Sequence, residues 1–232
     1  MKNTAYDYLS LDKTIALHLF DTAKHPHEAL KTLSDFICKL GSQLSSDIFY
    51  SPKENVWIAQ NAKIAKSACI ESPCIIDQNA EIRHCAFIRG NVIIGKNCVV
   101  GNSTELKNSI LFDNVQVPHF NYVGDSILGY KAHLGASAVT SNVKSDRSEV
   151  IIRYPNNEIL SGARKFGAII GDHCEIGCGA IINPGTIIGN NSTVYPLCSV
   201  RGFIEPNSIL KNNGAKVNKF NNDIPQQIHS ER

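Results

Sequence analysis

Residues 93–104 read IIGKNCVVGNST, two consecutive six-residue units with one shared pattern. Each unit carries an aliphatic side chain at its second position, Ile94 and Val100, followed directly by a glycine. The same spacing of bulky apolar side chains recurs at Ile58, Ile64, Ile70, Ile76, Ile82, Ile88, Leu106 and Phe112, again at Leu128 and Leu134, and finally at Ile170, Ile176, Ile182, Ile188, Val194 and Val200. Short strands with one inward side chain and turns of Gly, Asn or Asp fit this repeat, and three units form one coil. The sequence therefore predicts a mainly β fold, a parallel β-helix of hexapeptide coils.

The repeat is interrupted at residues 116–129, QVPHFNYVGDSILG, where a histidine occupies the gap. Phe112 and Leu128 are 16 residues apart, which is not a multiple of six, so we expect the chain to bulge out of the coil here. A histidine in a loop is more often structural than catalytic, but loops that project from a rigid scaffold commonly carry function. The break therefore makes His119 the first candidate for a catalytic residue.

Three other segments lie outside the repeat. Residues 1–52 lack hexads, and the apolar spacing after Pro26 predicts an amphipathic helix, which we interpret as a helical cap on the open end of the repeat domain, residues 53–210. Residues 144–167 predict a hairpin around a Pro-Asn-Asn turn. Residues 211–232 read as a polar tail whose lysines are either solvated or contact a ligand or neighbouring subunit.

Composition excludes several classes of function. The formal net charge of +2 gives no overall field for nucleic acid or a membrane surface. Neither a charged and then apolar leader nor a run of 18 apolar residues occurs, so we expect a cytoplasmic protein. Four of the eight cysteines, Cys74, Cys98, Cys174 and Cys198, stand two residues before a repeat aliphatic, where small buried side chains are expected. We therefore expect no disulfides and no metal.

Arg89 and Lys107 are 18 residues apart, one full coil, so they should lie one above the other at about 4.8 Å. Like charges this close repel each other unless an anion joins them. The pair is therefore either a grip for a phosphate or two solvated surface cations.

Five segments of the chain resemble one family: IRGNVIIG, STELKNSIL, PHFNYVGDSILG, HLGASAVTSN and RKFGAIIGD, all between Arg83 and Arg201. They resemble the acetyltransferase half of the bifunctional glucosamine-1-phosphate acetyltransferase and N-acetylglucosamine-1-phosphate uridylyltransferase, particularly its archaeal sugar-1-phosphate members. The resemblance implies a left-handed β-helix, a homotrimer and acetyl-CoA as co-substrate. No glycine-rich nucleotide loop precedes the repeat, so we expect no uridylyltransferase chemistry.

The resemblance also implies roles for individual residues. It makes His119 the general base, Asn142 a catalytic and sugar-binding amide, and Tyr122 a sugar contact. It makes Arg89 and Lys107 the grip on the sugar phosphate. The remaining implied contacts are His133 and Arg147 with the acceptor, and Cys178, Pro196 and Lys211 with coenzyme A. His133 stands where the family has an asparagine, and Ser148, beside Arg147, where it has a lysine.

We therefore expect an N-acetyltransferase that uses acetyl-CoA and an amino-sugar 1-phosphate, glucosamine 1-phosphate or galactosamine 1-phosphate. One alternative acceptor is a UDP-amino sugar, and one non-enzyme alternative is a regulatory subunit that binds a nucleotide sugar. A third alternative is a zinc carbonic anhydrase, which also uses trimeric β-helices. His84 and His119 could supply two ligands, but Gly124 stands where the third is expected, and two ligands make a poor zinc site.

Overall fold

The computed structural model describes residues 5–154 and 157–219, and strands are numbered in chain order. Three sheets, parallel except for two edge strands, Phe49–Lys53 and Lys216–Asn218, form the sides of a prism. Sheet A contains β1 (Phe49–Lys53), β2 (Val56–Ala59), β5 (Cys74–Ile76), β8 (Val92–Ile94), β11 (Ser109–Leu111), β14 (Ile127–Leu128), β19 (Ala168–Ile170), β22 (Thr186–Ile188) and β25 (Phe203–Ile204).

Sheet B contains β3 (Lys63–Ile64), β6 (Glu81–Ile82), β9 (Val99–Asn102), β12 (Gln116–His119), β15 (His133–Leu134), β20 (Glu175–Ile176), β23 (Thr193–Val194), β26 (Ser208–Leu210) and β27 (Lys216–Asn218). Sheet C contains β4 (Cys69–Ile70), β7 (Phe87–Ile88), β10 (Glu105–Lys107), β13 (Tyr122–Gly124), β16 (Val139–Thr140), β21 (Ile181–Ile182) and β24 (Ser199–Val200). The chain visits A, B and C in turn, so the predicted β-helix of hexapeptide coils is confirmed. Its left hand stays a prediction.

The repeat aliphatics form the interior of the prism. Ile88, Ile94 and Val100 are fully buried, whereas Ile64, on the first coil, is partly exposed. The four cysteines of the small-residue position are also buried and reduced. Burial raises the pKa of the Cys74 thiol to about 12, since an ionised thiolate is poorly solvated inside the prism. These side chains therefore fill space and are kept in the thiol form.

The chain around His119 does not leave the coil, so the predicted bulge is wrong. Val117 pairs with Val100 and Val123 with Leu106, and both valines are fully buried. These partners are 17 residues apart, because the corners between sheets C and A are one residue shorter here. A five-residue step from Leu106 to Leu111 begins this shorter register. The sequence gap thus reflects shortened corners rather than an excursion of the chain.

Residues 5–49 lie along sheet A, which corrects the expectation of a cap on the open end of the prism. The outward side chains of sheet A are fully buried: Ile75, Ile93, Ile110, Ile127, Ile169 and Ile187. The helix at Leu33–Gly41 contacts β5 and β8, and the hairpin insertion contacts β22. The Phe20 and Phe112 rings lie 6.0 Å apart, and the Tyr8 and Phe203 rings 5.8 Å apart. Sheet A strands such as AII are apolar on both faces, the pattern of a sheet that is covered on both sides. The open edge of sheet A is instead closed by β1, which pairs antiparallel with β2.

The covering segment is less helical than expected. It contains the 3-10 helices Ala5–Tyr8, Leu11–Lys13, Leu17–Phe20 and Pro26–Lys31, and the α-helix α1, Leu33–Gly41. The single amphipathic helix predicted after Pro26 is therefore divided at Thr32. Short pieces follow the flat sheet because each turn adjusts separately to the side chains below it. None of these helices, within the described part of the chain, combines the length and apolar content needed to cross a bilayer.

Both later segments contain strands. The insertion forms an antiparallel hairpin of β17 (Ile151–Arg153) and β18 (Glu158–Leu160), and two residues of its predicted turn, 155 and 156, lie outside the described residues. The coils continue through β25 and β26, and β27 pairs antiparallel with β26. The polar tail therefore contains a strand, Lys216–Asn218, which closes the edge of sheet B. Residues 220–232 of the tail lie outside the described residues.

Candidate functional site

The edge between sheets B and C carries His119. His119 ends β12, and its side chain is exposed. Its backbone N–H donates to Asn121 Oδ1 over 3.1 Å, and its carbonyl accepts from the Ser137 N–H over 3.0 Å. Buried Asn121 in turn donates to the Gly135 and Ala138 carbonyls. The backbone is thus fixed, while the imidazole forms no hydrogen bond with any described residue and is available to a ligand.

The outer face of sheet C brings Tyr122 and Asn142 together. Asn142 Nδ2 donates to the Tyr122 hydroxyl over 3.1 Å, although the two residues lie on successive coils. Gly124 allows this contact, because a Cβ at Gly124 would lie 2.5 Å from the Tyr122 hydroxyl and 2.8 Å from Asn142 Nδ2. Burial, followed by the nearby Asp125, raises the pKa of the half-buried Tyr122 phenol. Tyr122 is therefore protonated at neutral pH.

Arg89 and Lys107 occupy neighbouring coils of the same face, since the Arg89 N–H donates to the Leu106 carbonyl over 2.8 Å. Each cation is already paired. Arg89 Nη1 lies 2.7 Å from Glu105 Oε1, and Lys107 Nζ lies 2.9 Å from Asp125 Oδ1. The hydrogen bond with Glu105 raises the pKa of Arg89. The repulsion that we expected an anion to relieve is therefore relieved by two carboxylates of the chain.

Asp125 joins these groups into one network. Its carboxylate is 4% exposed and accepts from Lys107 Nζ, from Asn108 Nδ2 over 2.8 Å and from Asn142 Nδ2. Asp125, Glu105 and Asn108 were not among the predicted site residues. The stacking rule that paired Arg89 with Lys107 also relates Lys107 to Asp125, 18 residues later, and could have found it.

Two other predicted acceptor contacts lie elsewhere. His133 is on the outer face of sheet B, where its Nδ1 lies 2.8 Å from Glu175 Oε2. Arg147 has a φ of 55° in the loop before the hairpin, and its backbone N–H donates to the Lys144 carbonyl. Neither side chain is bonded to the Tyr122–Asn142 pair among the described residues. The structure therefore does not bring these two residues to the sheet C face of this chain.

The predicted coenzyme A contacts follow the same edge as His119. Backbone hydrogen bonds between successive coils align His119 with Ala136, then Cys178, then Pro196. Cys178 is exposed. Lys211 directly follows β26, whose Leu210 carbonyl accepts from the Tyr195 N–H, and so stands at the C-terminal end of this edge. These residues form a continuous row on the C-terminal side of His119, along what is called the B/C edge below.

The two histidines of the zinc alternative share this edge within one chain. Asn102 lies on the coil between His84 and His119, so the histidines are about 9.6 Å apart at strand spacing. His84 Nδ1 is instead 2.6 Å from Ser67 Oγ. Among residues 5–154 and 157–219, no three His, Cys, Asp or Glu side chains are grouped to hold a metal ion.

Two parts of this chain match known protein families. Residues 70–153 match the family described as GMPPB C-terminal domain, and residues 167–202 match the bacterial transferase hexapeptide family. The bifunctional protein GlmU of Methanococcus maripaludis (strain DSM 14266) is 37% identical over 188 residues, which cover 80% of this chain and 46% of that protein. The bifunctional sugar-1-phosphate nucleotidylyltransferase/acetyltransferase of Sulfurisphaera tokodaii is 37% identical over 94 residues, 40% of this chain and 23% of that protein.

Among solved structures, a point mutant of AntD, an N-acyltransferase from Bacillus cereus in complex with dTDP and coenzyme A, matches with a TM-score of 0.34 and 21% identity. The match covers 69% of this chain and 82% of AntD. The chain spans less than half the length of the two curated relatives above. The sequence similarity therefore covers only part of each of those proteins.

Proposed function

We propose that this hexapeptide-repeat protein, a relative of the archaeal bifunctional GlmU proteins, is a coenzyme A-dependent N-acetyltransferase that acts on an amino-sugar 1-phosphate. The observation that carries the proposal is the exposed, unbonded imidazole of His119. It stands where the row of predicted coenzyme A contacts meets the polar face of Tyr122 and Asn142. Donor and acceptor would meet at this imidazole.

The acceptor would lie on the outer face of sheet C. His119 and Tyr122 are three residues apart on either side of the corner at Phe120, whose φ is 52°, so their Cα atoms lie within about 10 Å, the scale of one sugar ring and its substituents. Both amide hydrogens of Asn142 are already donated, to Tyr122 and Asp125. The Asn142 carbonyl oxygen therefore remains to accept a hydrogen bond from the sugar, so Asn142 would position the acceptor rather than donate to an oxyanion.

The donor would follow the B/C edge. Its acetyl group would lie beside His119, and the remainder of coenzyme A would extend past Cys178 and Pro196 towards Lys211. Lys211 can meet an anionic part of the donor at the far end of the edge. The exposed corner residues between these points, such as Leu197 with 78% exposure, offer apolar surface to the aliphatic portion of the molecule.

The reaction requires one base. The amine nitrogen of the sugar attacks the thioester carbonyl while His119 accepts the proton that the nitrogen loses. The C–S bond then breaks, the amide forms, and the thiolate of coenzyme A takes up the proton from the His119 imidazolium, which restores the base. An imidazole is suited to this step because its ordinary pKa lies near neutrality.

The proposal is tested by measuring thiol release from acetyl-CoA with glucosamine 1-phosphate or galactosamine 1-phosphate as acceptor. We expect His119→Ala to lower turnover by about two to four orders of magnitude without loss of the fold. His84→Ala is the matched control, since His84 lies on the same edge two coils earlier and should retain activity. Equal turnover of the parent and His119→Ala would exclude His119 as the base.

A non-catalytic sugar-phosphate or nucleotide-sugar binding protein is the second candidate. It is favoured by the carboxylates that neutralise Arg89 and Lys107, because the Glu105 carboxylate lies in front of one of the cations expected to hold a phosphate. Tight binding of UDP-N-acetylglucosamine or of the sugar phosphate without any thiol release would support this candidate. Thiol release with a UDP-amino sugar, but not with the sugar phosphate, would instead show that the protein is an acetyltransferase with a different acceptor.

Assembly is part of the proposal. We propose a homotrimer, with the acyl donor between neighbouring subunits, by analogy with the resemblance stated above. Sedimentation equilibrium tests this directly, and a monomer at the concentration of the activity assay would refute the shared-site arrangement.

A further inference from the structure

Three exposed side chains are in contact on the B/C edge, on the N-terminal side of His119. Cys85 Sγ lies 3.2 Å from His84 Nε2, and His84 Nδ1 lies 2.6 Å from Ser67 Oγ. Cys85 also donates its backbone N–H to Ser67 Oγ over 3.1 Å. A thiol, an imidazole and a hydroxyl are thus linked by hydrogen bonds at the surface, and these three residues are called the thiol cluster below.

The imidazole of the thiol cluster is positioned to take the thiol proton. A neutral imidazole carries one N–H, and when this hydrogen is on Nδ1 the Ser67 oxygen accepts it, while Nε2 accepts the S–H of Cys85. The thiolate, and not the thiol, is the nucleophilic form of cysteine. A nucleophile in contact with a base that a third group holds in place is the arrangement of an activated nucleophile.

Cys85 differs in position from the cysteines that fill the coil. Those cysteines stand two residues before a repeat aliphatic and are buried: Cys74, Cys98, Cys174 and Cys198. Cys85 is exposed at a corner, three residues before Ile88, and its φ is 55°. Residues other than glycine adopt this left-handed conformation uncommonly, and Asn and Asp adopt it most readily. Neither packing nor the conformation of the corner therefore explains a thiol at this position.

Two other exposed cysteines lack an imidazole partner. Cys69 Sγ lies 3.6 Å from Glu71 Oε1, and a carboxylate is a weaker base than an imidazole. Cys178 forms no side-chain hydrogen bond with any described residue. These two cysteines are therefore internal references for the reactivity of Cys85.

A cation lies beside the thiol cluster. Ile64 pairs with Ile82, which places Lys66 next to His84 on the preceding coil. Lys66 is exposed and forms no ion pair with any other residue in the described part of the chain. Its uncompensated charge attracts anionic reagents to this part of the edge.

We infer that Cys85 is a nucleophilic thiol, activated by His84, that exchanges with anionic disulfides of low molecular weight. In this step the thiol proton passes to His84 Nε2, and Cys85 Sγ attacks one sulfur of the disulfide. A bond forms between these two sulfurs, the original S–S bond breaks, and the released thiolate takes the proton from the imidazolium. The products are a mixed disulfide on Cys85 and one free thiol, so the disulfide is the only oxidant required.

The thiol cluster is separate from the proposed acetyl-transfer site. Asn102 lies on the coil between His84 and His119, so the two histidines are about 9.6 Å apart at strand spacing. Neither Cys85 nor His84 takes part in the proposed transfer. A protein that transfers no acetyl group would still carry the reactive thiol, so the two proposals fail separately.

The test treats the folded protein with glutathione disulfide at neutral pH, and mass spectrometry of the proteolysed protein then gives the rate at each cysteine. We expect the mixed disulfide to form on Cys85 at least about tenfold faster than on Cys69 or Cys178. His84→Gln should slow the reaction of Cys85 at least about tenfold and leave the rate at Cys178 within about twofold of the parent. His18→Gln, which removes a highly exposed imidazole elsewhere, should leave both rates unchanged.

Two outcomes overturn the inference: equal rates at the three exposed cysteines of the parent, or an unchanged rate at Cys85 in His84→Gln. The same experiment reports folding, because unfolding would expose the four buried cysteines to the disulfide. If His84→Gln labels them, Ser67→Ala takes its place. It removes the group that holds the imidazole and should slow Cys85 by about threefold, and an unchanged rate in this folded variant would equally refute activation by His84.

Discussion

Replacing His27 with Gln should remove much of the acid sensitivity of the contact between the covering segment and the hairpin. Burial, the largest cause, lowers the pKa of His27 from 6.5 to about 4. Nearby His25 and Lys31 lower the pKa further, whereas Glu28 and a hydrogen bond to the backbone of Ser161 raise it. The folded protein therefore keeps this imidazole neutral at a pH where the unfolded chain protonates it.

The sign of the effect follows from that difference. Between pH 6.5 and about 4 the unfolded chain binds a proton that the folded chain does not, so the free energy of unfolding falls as the pH falls. The stabilisation is complete above pH 6.5. Each tenfold difference in proton affinity corresponds to about 1.4 kcal/mol, so the contribution lost by pH 4 is about 3 kcal/mol.

Trp57 is a suitable reporter for this measurement. It is the single tryptophan of the chain, and a Cβ at Gly41 of α1 would lie 2.3 Å from its indole ring, so its fluorescence senses the covering segment. Urea unfolding gives the free energy of unfolding of the parent and of His27→Gln at each pH. The difference between the two proteins should change by about 3 kcal/mol between about pH 7 and pH 4. His18→Gln, at a highly exposed position, serves as the control. Parallel pH profiles for the parent and His27→Gln would refute the reasoning.

Two further predictions concern the coil itself. Ile88→Ala, in the interior, should cost about 2–5 kcal/mol of unfolding free energy by urea denaturation, and Phe87→Ala, 38% exposed, clearly less; equal costs would contradict the assigned inward face. Gly101→Ala should lower the free energy of unfolding by about 4 kcal/mol or more, or prevent folding, because the new Cβ would lie 1.5 Å from the Pro118 carbonyl oxygen. Thermal unfolding followed by circular dichroism measures this, and a transition like that of the parent would show that the coils can separate to admit the methyl group.

The position of the candidate base could be predicted from the sequence, although the reason given for it was wrong. The break in spacing identified His119, yet the chain continues through β12 without a bulge. The spacing of the inward-facing residues cannot distinguish a chain that bulges out of the coil from a coil in which one corner has one residue fewer. That distinction depends on which carbonyl each N–H reaches on the neighbouring coil.

The acceptor site was only partly predictable for a similar reason. Residues one coil apart were placed on the same face correctly, as Arg89 and Lys107 show. The same 18-residue spacing relates Lys107 to Asp125, whereas Glu105 is 16 residues from Arg89 and reaches it only through the direction of its side chain. His133 was assigned to the acceptor by resemblance, but it lies on sheet B beside Glu175. Its role in acceptor binding stays a prediction.

The sequence by itself determined the coil: a bulky aliphatic side chain at every sixth position, with a small residue two places before it, can be buried only if the chain turns three times per circuit. Only the tertiary structure decided what covers the prism and where the charges are compensated. The apolar outer face of sheet A accepts residues 5–49 along its length, and this brings Lys31 to the hairpin and to Lys165. Local periodicity fixes how each residue faces its own coil, whereas contacts between distant segments depend on packing that no single stretch encodes.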